Sequence, residues 1–245
     1  MNSVLLKIED IDQYFLPNGK YDPTDETHIN LVIEKFRRDG SADGFFTNVH
    51  FDGSVVQVEP NDKAEKELQE CIEILQLGGY RPALHRLTSL LEHYPYHVHL
   101  LYNCGMAFRE LGQVEKSIEL LTKATDVAPD HVNAWVALAV SHQTVGASEQ
   151  ALAAANKAFE IDGNDPFVLR TLGYLLESTG HVNEAIIHLE KALELSPRDP
   201  QVHLVLGKIN SSKSPEEARK HLLQVLEYAP GSSMSSQAQS LIDSI

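Results

Sequence analysis

Residues 132–165 read VNAWVALAVSHQTVGASEQALAAANKAFEIDGND, and residues 166–199 read PFVLRTLGYLLESTGHVNEAIIHLEKALELSPRD. Set one above the other they align Trp135 with Leu169, Leu138 with Leu172, Ala139 with Gly173, His142 with Leu176, Gly146 with Gly180, Ala151 with Ala185, Ala155 with Leu189 and Ala158 with Ala192. The step is 34 residues, and it continues outward. Gly78 and Gly112 precede Gly146 and Gly180, Ala124 precedes Ala158, and Leu101 precedes Trp135. Pro129 and Pro197 close alternate units, with Gly163 between them. A fixed period of this length marks an array of supersecondary units.

Each unit carries two helical stripes. Leu101, Cys104, Gly105 and Phe108 stand at i, i+3, i+4 and i+7, and Ile118, Leu121 and Ala124 repeat the spacing further on. Small residues at Gly105, Ala139, Gly173 and Gly207 allow close backbone approach, answered by Ala151, Ala185 and Ala218 on the second helix. One unit cannot bury both stripes, so neighbours must stack. This pattern resembles the tetratricopeptide repeat (TPR), a helix-turn-helix unit of the same length.

The resemblance implies a mainly α fold, a right-handed TPR α-solenoid of about five repeats near 64–97, 98–131, 132–165, 166–199 and 200–230. Residues 231–245 would form a C-terminal capping helix, with Ala238, Leu241, Ile242 and Ile245 on one side. The fifth unit is one residue short between Gly207 and Ala218, and Ser214-Pro215-Glu216-Glu217 restarts its second helix with an N-cap. The first unit is irregular, since Glu67 and Glu70 stand where later units have Leu101 and Cys104. Its apolar stripe is Leu68, Cys71, Ile72 and Leu75. Either the helix is slipped by one residue with Gly79 in the turn, or it keeps register and presents Leu68, Ile72 and Leu75 inward.

Residues 1–63 lie outside the repeat and read as a small α+β mini-domain. Val4 to Ile8 is a strand, Pro17-Asn18-Gly19 a loop, and Asp22-Pro23 opens a helix that ends near Asp39-Gly40. Phe45 to Val58 reads as a hairpin around Asp52-Gly53, a type I′ turn dipeptide. Such a short segment has a marginal core of its own, so it is expected to lean on the repeats. Pro60-Asn61-Asp62 is the boundary.

The chain has 245 residues and a net charge of −15, with both the first 63 residues and the remainder acidic. A surface of that sign does not attract nucleic-acid phosphates, and no nucleic-acid partner is expected. No apolar run is long enough for a membrane span, and Glu9 and Asp10 interrupt any leader, which points to a cytoplasmic protein. Cys71 and Cys104 sit at packing positions and read as core thiols.

TPR arrays bind partners on the surface lined by first helices. The lining residues are those one step past the core stripe, about 100° around the helix. They are Tyr102, Met106 and Arg109, then Val136, Val140 and Gln143, then Arg170, Tyr174 and Glu177, then Leu204 and Lys208, flanked by Asn103, Ala137, Thr171 and Val205. A mixed lining of this kind suits a peptide or an amphipathic helix of a protein partner, held by a few anchors at roughly micromolar affinity. The Lys and Asn clamp with which some TPR proteins hold chaperone C-termini is not reproduced: only Asn103 fits, while Leu68, Ile72, Asn133 and Ala137 replace its other members.

Twelve histidines are many, and His93, His97 and His99 cluster, but no metal-ligand frame accompanies them. They read as linker and helix-start residues. No phosphate loop, nucleophile elbow or dinucleotide fingerprint occurs, so neither catalysis, a cofactor nor a metal is expected. The expected role is a non-enzymatic scaffold or adaptor, with an assembly or secretion chaperone as the alternative. Oligomeric state is not encoded in these patterns.

Overall fold

The computed structural model describes residues 4–7, 46–51, 55–60 and 62–245 apart from 96, with side chains from residue 65 onward except that of His93. The chain forms two compact units, Met1–Lys116 and Ser117–Ile245.

In the first unit, β1 (Val4–Lys7), β2 (Phe46–Phe51) and β3 (Val55–Pro60) make an antiparallel sheet in the order β1-β3-β2. Val4 and Leu6 stand opposite Val58 and Val56, which stand opposite Val49 and Phe51. Phe51 pairs with Val56, and the Asp52-Gly53 turn expected between them lies outside the described residues. Register follows the apolar rows, because a slip of one residue would turn every row over. Residues 52–54, Phe45, Asn61, the Pro17–Gly19 loop and the helix expected from Asp22 to Gly40 lie outside the described residues.

Three helices follow, α1 (Asp62–Gln76), α2 (Tyr80–His93) and α3 (Val98–Glu110), each packed on the next. Gly78 takes the left-handed turn at φ 78°, with its N–H on Leu75 O at 2.9 Å and the N–H of Gly79 on Ile74 O at 2.9 Å. The first repeat therefore keeps the 34-residue register, and the slipped alternative is excluded. Leu68 and Cys71 are buried. Glu67 and Glu70 are drawn instead to Arg86 on α2, at 3.6 and 2.8 Å.

The remaining helices are α4 (Val114–Val127), α5 (Val132–Thr144), α6 (Ser148–Ile161), α7 (Pro166–Ser178), α8 (Val182–Leu195), α9 (Pro200–Asn210), α10 (Pro215–Tyr228) and α11 (Ser233–Ser244). Within the second unit α5 pairs with α6, α7 with α8 and α9 with α10, and the first helices α5, α7 and α9 also touch in series. Short connections make each pair antiparallel. The turns at Gly112, Gly146 and Gly180 repeat the bonds of Gly78: the glycine N–H reaches back three residues and the next N–H reaches back five. This double bond set satisfies the last carbonyls of the helix and needs positive φ at the glycine.

Starts of first helices repeat as faithfully. His97, His131, Asp165 and Asp199, each 34 residues after the last, are the N-caps of α3, α5, α7 and α9. The two histidines accept through Nδ1 from Leu100 N at 3.3 Å and Ala134 N at 3.1 Å. The aspartates accept from two amides each. Ser214 occupies the N-cap place of α10 but makes no side-chain cap bond, so Pro215 and the first-turn acids Glu216 and Glu217 carry that start. Ala238 and Ile242 of α11 bury against Leu222 and Val225 of α10.

Candidate functional site

In the second unit the sequence places Val136, Ala137, Val140 and Gln143 on α5, Arg170, Thr171, Tyr174 and Glu177 on α7, and Lys208 on α9. The structure joins several of them into one polar ladder. Gln143 Nε2 donates to Ser178 Oγ at 3.3 Å, between α5 and α7. Arg170 Nη1 donates to Asp199 Oδ2 at 2.5 Å and Lys208 Nζ pairs with Glu177 Oε1 at 3.1 Å, between α7 and α9. Tyr174 stands one turn from both Arg170 and Glu177 and is 46% exposed, although it is large and aromatic.

Arg170 is fixed from two sides, since its guanidinium also lies 4.6 Å from the centre of the Phe167 ring. Asp199 has two tasks, with Oδ1 capping α9 through Gln201 N at 2.9 Å and Oδ2 holding Arg170. The charges beside Tyr174 are thus balanced before anything binds. The ladder leaves one aromatic side chain, Tyr174, exposed between two ion pairs.

Val136, Ala137 and Thr171 do not belong to the exposed lining. Their exposures are 1%, 4% and 7%. Val136 packs with Ala158 and Val168, ringed by Val132, Trp135 and Phe159, and Thr171 Oγ1 donates to Phe167 O at 2.8 Å. The reason is geometric: a rotation of about 100° from the core stripe still falls inside the contact between successive first helices. Val140 stays half-buried.

In the first unit Tyr102, Asn103, Met106 and Arg109 lie on α3 and are all half-buried. Burial raises the Tyr102 hydroxyl above its ordinary value, and the nearby charge of Arg109 opposes the rise. Arg109 is held by Glu110 at 2.8 Å. Asn103 Nδ2 donates to His99 O at 2.7 Å, one turn back on its own helix.

Asp199 is the ladder residue that the reading of first-helix faces leaves out. Its signal is present in the sequence, since Asp165-Pro166 and Asp199-Pro200 both pair a capping acid with a first-turn proline. Elsewhere, Cys71 and Cys104 are free and buried, and burial pushes the Cys104 thiol up to about 12 and the Cys71 thiol in the same direction. Such thiols are poor nucleophiles. Among the described residues no three His, Cys, Asp or Glu side chains gather to hold a metal ion, and no helix is long and apolar enough to cross a membrane.

Comparison with known proteins agrees with the helix pairs. One tetratricopeptide repeat model matches residues 74–126 and 102–166, and another matches residues 166–209. No curated protein matches the chain. Among solved structures, TTC0263, a thermophilic TPR protein in Thermus thermophilus, superposes with a TM-score of 0.63 at 20% identity, over 73% of this chain and 98% of that one. MamA 41-end from Desulfovibrio magneticus RS-1 gives 0.58 at 22% identity, over 71% and 98%. YrrB, a TPR protein with an unusual peptide-binding site, gives 0.54 at 16% identity, over 71% and 90%. Period, turns, helix pairing and family models coincide over residues 74–209, and the chain belongs to the tetratricopeptide repeat family.

Proposed function

We propose that this protein is a non-enzymatic interaction scaffold, and that it takes a peptide or helix of a protein partner on the face of α5, α7 and α9. The observation that carries this reading is Tyr174: 46% exposed, and flanked by the Arg170–Asp199 and Glu177–Lys208 pairs that tie the first helices together. A large aromatic on a surface already fixed loses little freedom on contact, which is what a binding anchor requires. YrrB, similar in fold, is described as having a peptide-binding site, which supports a peptide as ligand. On the first unit, Tyr102, Met106 and Arg109 are proposed as further contacts, with Asn103 beside them. Val140 and Lys208 are proposed as contacts on the same face, while Val136, Ala137 and Thr171 are buried within the helix packing.

The test is photo-crosslinking from a benzophenone side chain at position 174, compared with the same group at Ile187. Ile187 is 64% exposed on α8, a second helix. Peptides selected on the purified protein should crosslink at 174 and lose binding at least tenfold in Tyr174→Ala. Crosslinks at 187 with unchanged affinity of the Tyr174→Ala protein would place the ligand elsewhere.

A further inference from the structure

A second concavity lies in the first unit, away from the first-helix face. It has a volume of about 450 Å³ and is lined by Arg81, Leu84, His85 and Thr88 of α2, Phe108 of α3, and Leu111 and Gln113 of the turn that follows. On α3, Phe108 lies about 100° or more around the helix from Tyr102, Met106 and Arg109, given about 100° per residue. The floor is apolar, from Leu84, Phe108 and Leu111. The rim is cationic: besides Arg81, Lys116 Nζ sits 5.3 Å from the centre of the Phe108 ring and donates to Gln113 Oε1 at 2.9 Å.

Arg81 breaks a rule that its sibling helices keep. The second helices α4, α6, α8 and α10 all carry acid in the first turn, where the positive end of the helix favours it. One repeat on from Arg81 stands Glu115, and one further stands Glu149; one repeat on from His85 stands Glu119. The α2 helix has no acid in its first turn and no side-chain cap, and it carries a base there. Among the described residues no carboxylate is paired with Arg81. A charge placed against its own helix, unneutralised, over an apolar floor, in a protein of net charge −15, is a local cost without a structural return.

We infer that this cleft binds an acidic peptide segment that carries an aromatic side chain, the ring covering Leu84, Phe108 and Leu111 and the flanking carboxylates meeting Arg81 and Lys116. The class follows from complementarity of both kinds, apolar in the floor and opposite in charge at the rim. Arg81, His85, Gln113 and Lys116 are exposed, so the cleft is open. An open cleft suits one side chain of a longer strand rather than an enclosed small molecule, which would be buried over most of its surface. The net charge of −15 disfavours non-specific adhesion of such a strand.

The experiment uses the full chain and a fluorescent decapeptide of aspartates around a central phenylalanine, read by anisotropy. Control peptides replace the aspartates by lysines or the phenylalanine by serine. Wild type should bind the probe at least tenfold more tightly than either control, and more weakly as salt rises. Arg81→Glu should lower affinity at least tenfold while its melting temperature stays level or rises, because the new charge suits the helix end. Tyr174→Ala should bind the probe as wild type does, which separates this cleft from the face proposed above. Equal affinity of Arg81→Glu and wild type, or equal binding of the lysine peptide, overturns the assignment.

Discussion

Gly173 and Leu189 compete for the same space: a Cβ built on the glycine would stand 2.6 Å from the leucine Cγ and 3.2 Å from the Ala185 carbonyl oxygen. One repeat earlier the same two places hold Ala139 and Ala155, so the larger side chain on one helix goes with the absent one on the other. Gly173→Ala gains about 1 kcal/mol in helix propensity yet loses about 1–3 kcal/mol to overpacking. A net destabilisation of roughly 1 kcal/mol is expected in urea. The Gly173→Ala, Leu189→Ala double variant should be more stable than the sum of the single losses predicts, and strict additivity would show that the two sites do not share a volume.

Asp199 joins helix capping to the interhelix ladder. Asp199→Ala removes the cap and strands Arg170, at a combined cost of about 2–3 kcal/mol. Asp199→Asn keeps an acceptor for the Gln201 and Val202 amides and should cost about half as much. Equal losses would mean that the cap bonds contribute nothing here and that the charge pair with Arg170 carries the whole effect.

His97 caps α3 through Nδ1, and burial, helped by His99, holds its pKa at about 4, below the usual 6.5. The unfolded chain takes up the proton first, so stability is full above about pH 6.5 and falls as pH drops towards 4. The loss is up to roughly 3 kcal/mol by linkage. His97→Asp supplies the cap used at Asp165 and Asp199, and should flatten the slope of melting temperature against pH in that window. An unchanged slope would remove His97 from the account.

His203 and His221 share a hydrogen between Nδ1 atoms 3.0 Å apart, and His203 Nε2 lies 3.0 Å from Pro197 O. A carbonyl only accepts, so neutral His203 must carry its hydrogen on Nε2 and leave Nδ1 as acceptor for the Nδ1–H of His221. Burial, and then His203, lower the pKa of His221, so the His221 ring stays neutral into mild acid. Two-bond proton–nitrogen NMR at neutral pH should find the Nε2–H tautomer for His203 and the Nδ1–H tautomer for His221. The reverse assignment would break the Pro197 contact.

Cys104, at about 12, and Cys71, raised in the same way, should resist Ellman's reagent in the native protein at about pH 8 and react at once in guanidinium chloride. Rapid native labelling would show that these helices open far more often than their packing implies.

Spacing makes the helices legible because a left-handed turn tolerates few residues other than glycine, and Gly78, Gly112, Gly146 and Gly180 mark four such turns. The packing glycines are legible for a related reason, as a Cβ added at Gly207 would also stand 2.6 Å from Leu222. Depth is not legible. Val136 and Val140 are one turn apart and equally apolar, yet only Val136 is fully covered, because the next helix decides which of them it reaches. Partners 29 and 31 residues apart, Arg170 with Asp199 and Glu177 with Lys208, follow from helix crossing and leave no local pattern in the chain.

The four glycine turns close on bonds that reach back no more than five residues, and a Cβ at any of the four would meet nothing within 4 Å. Each segment between successive glycines therefore carries its own fastening, like a link in a chain. Duplicating such a segment lengthens the protein without rewriting either end, so reach can be altered by copying alone.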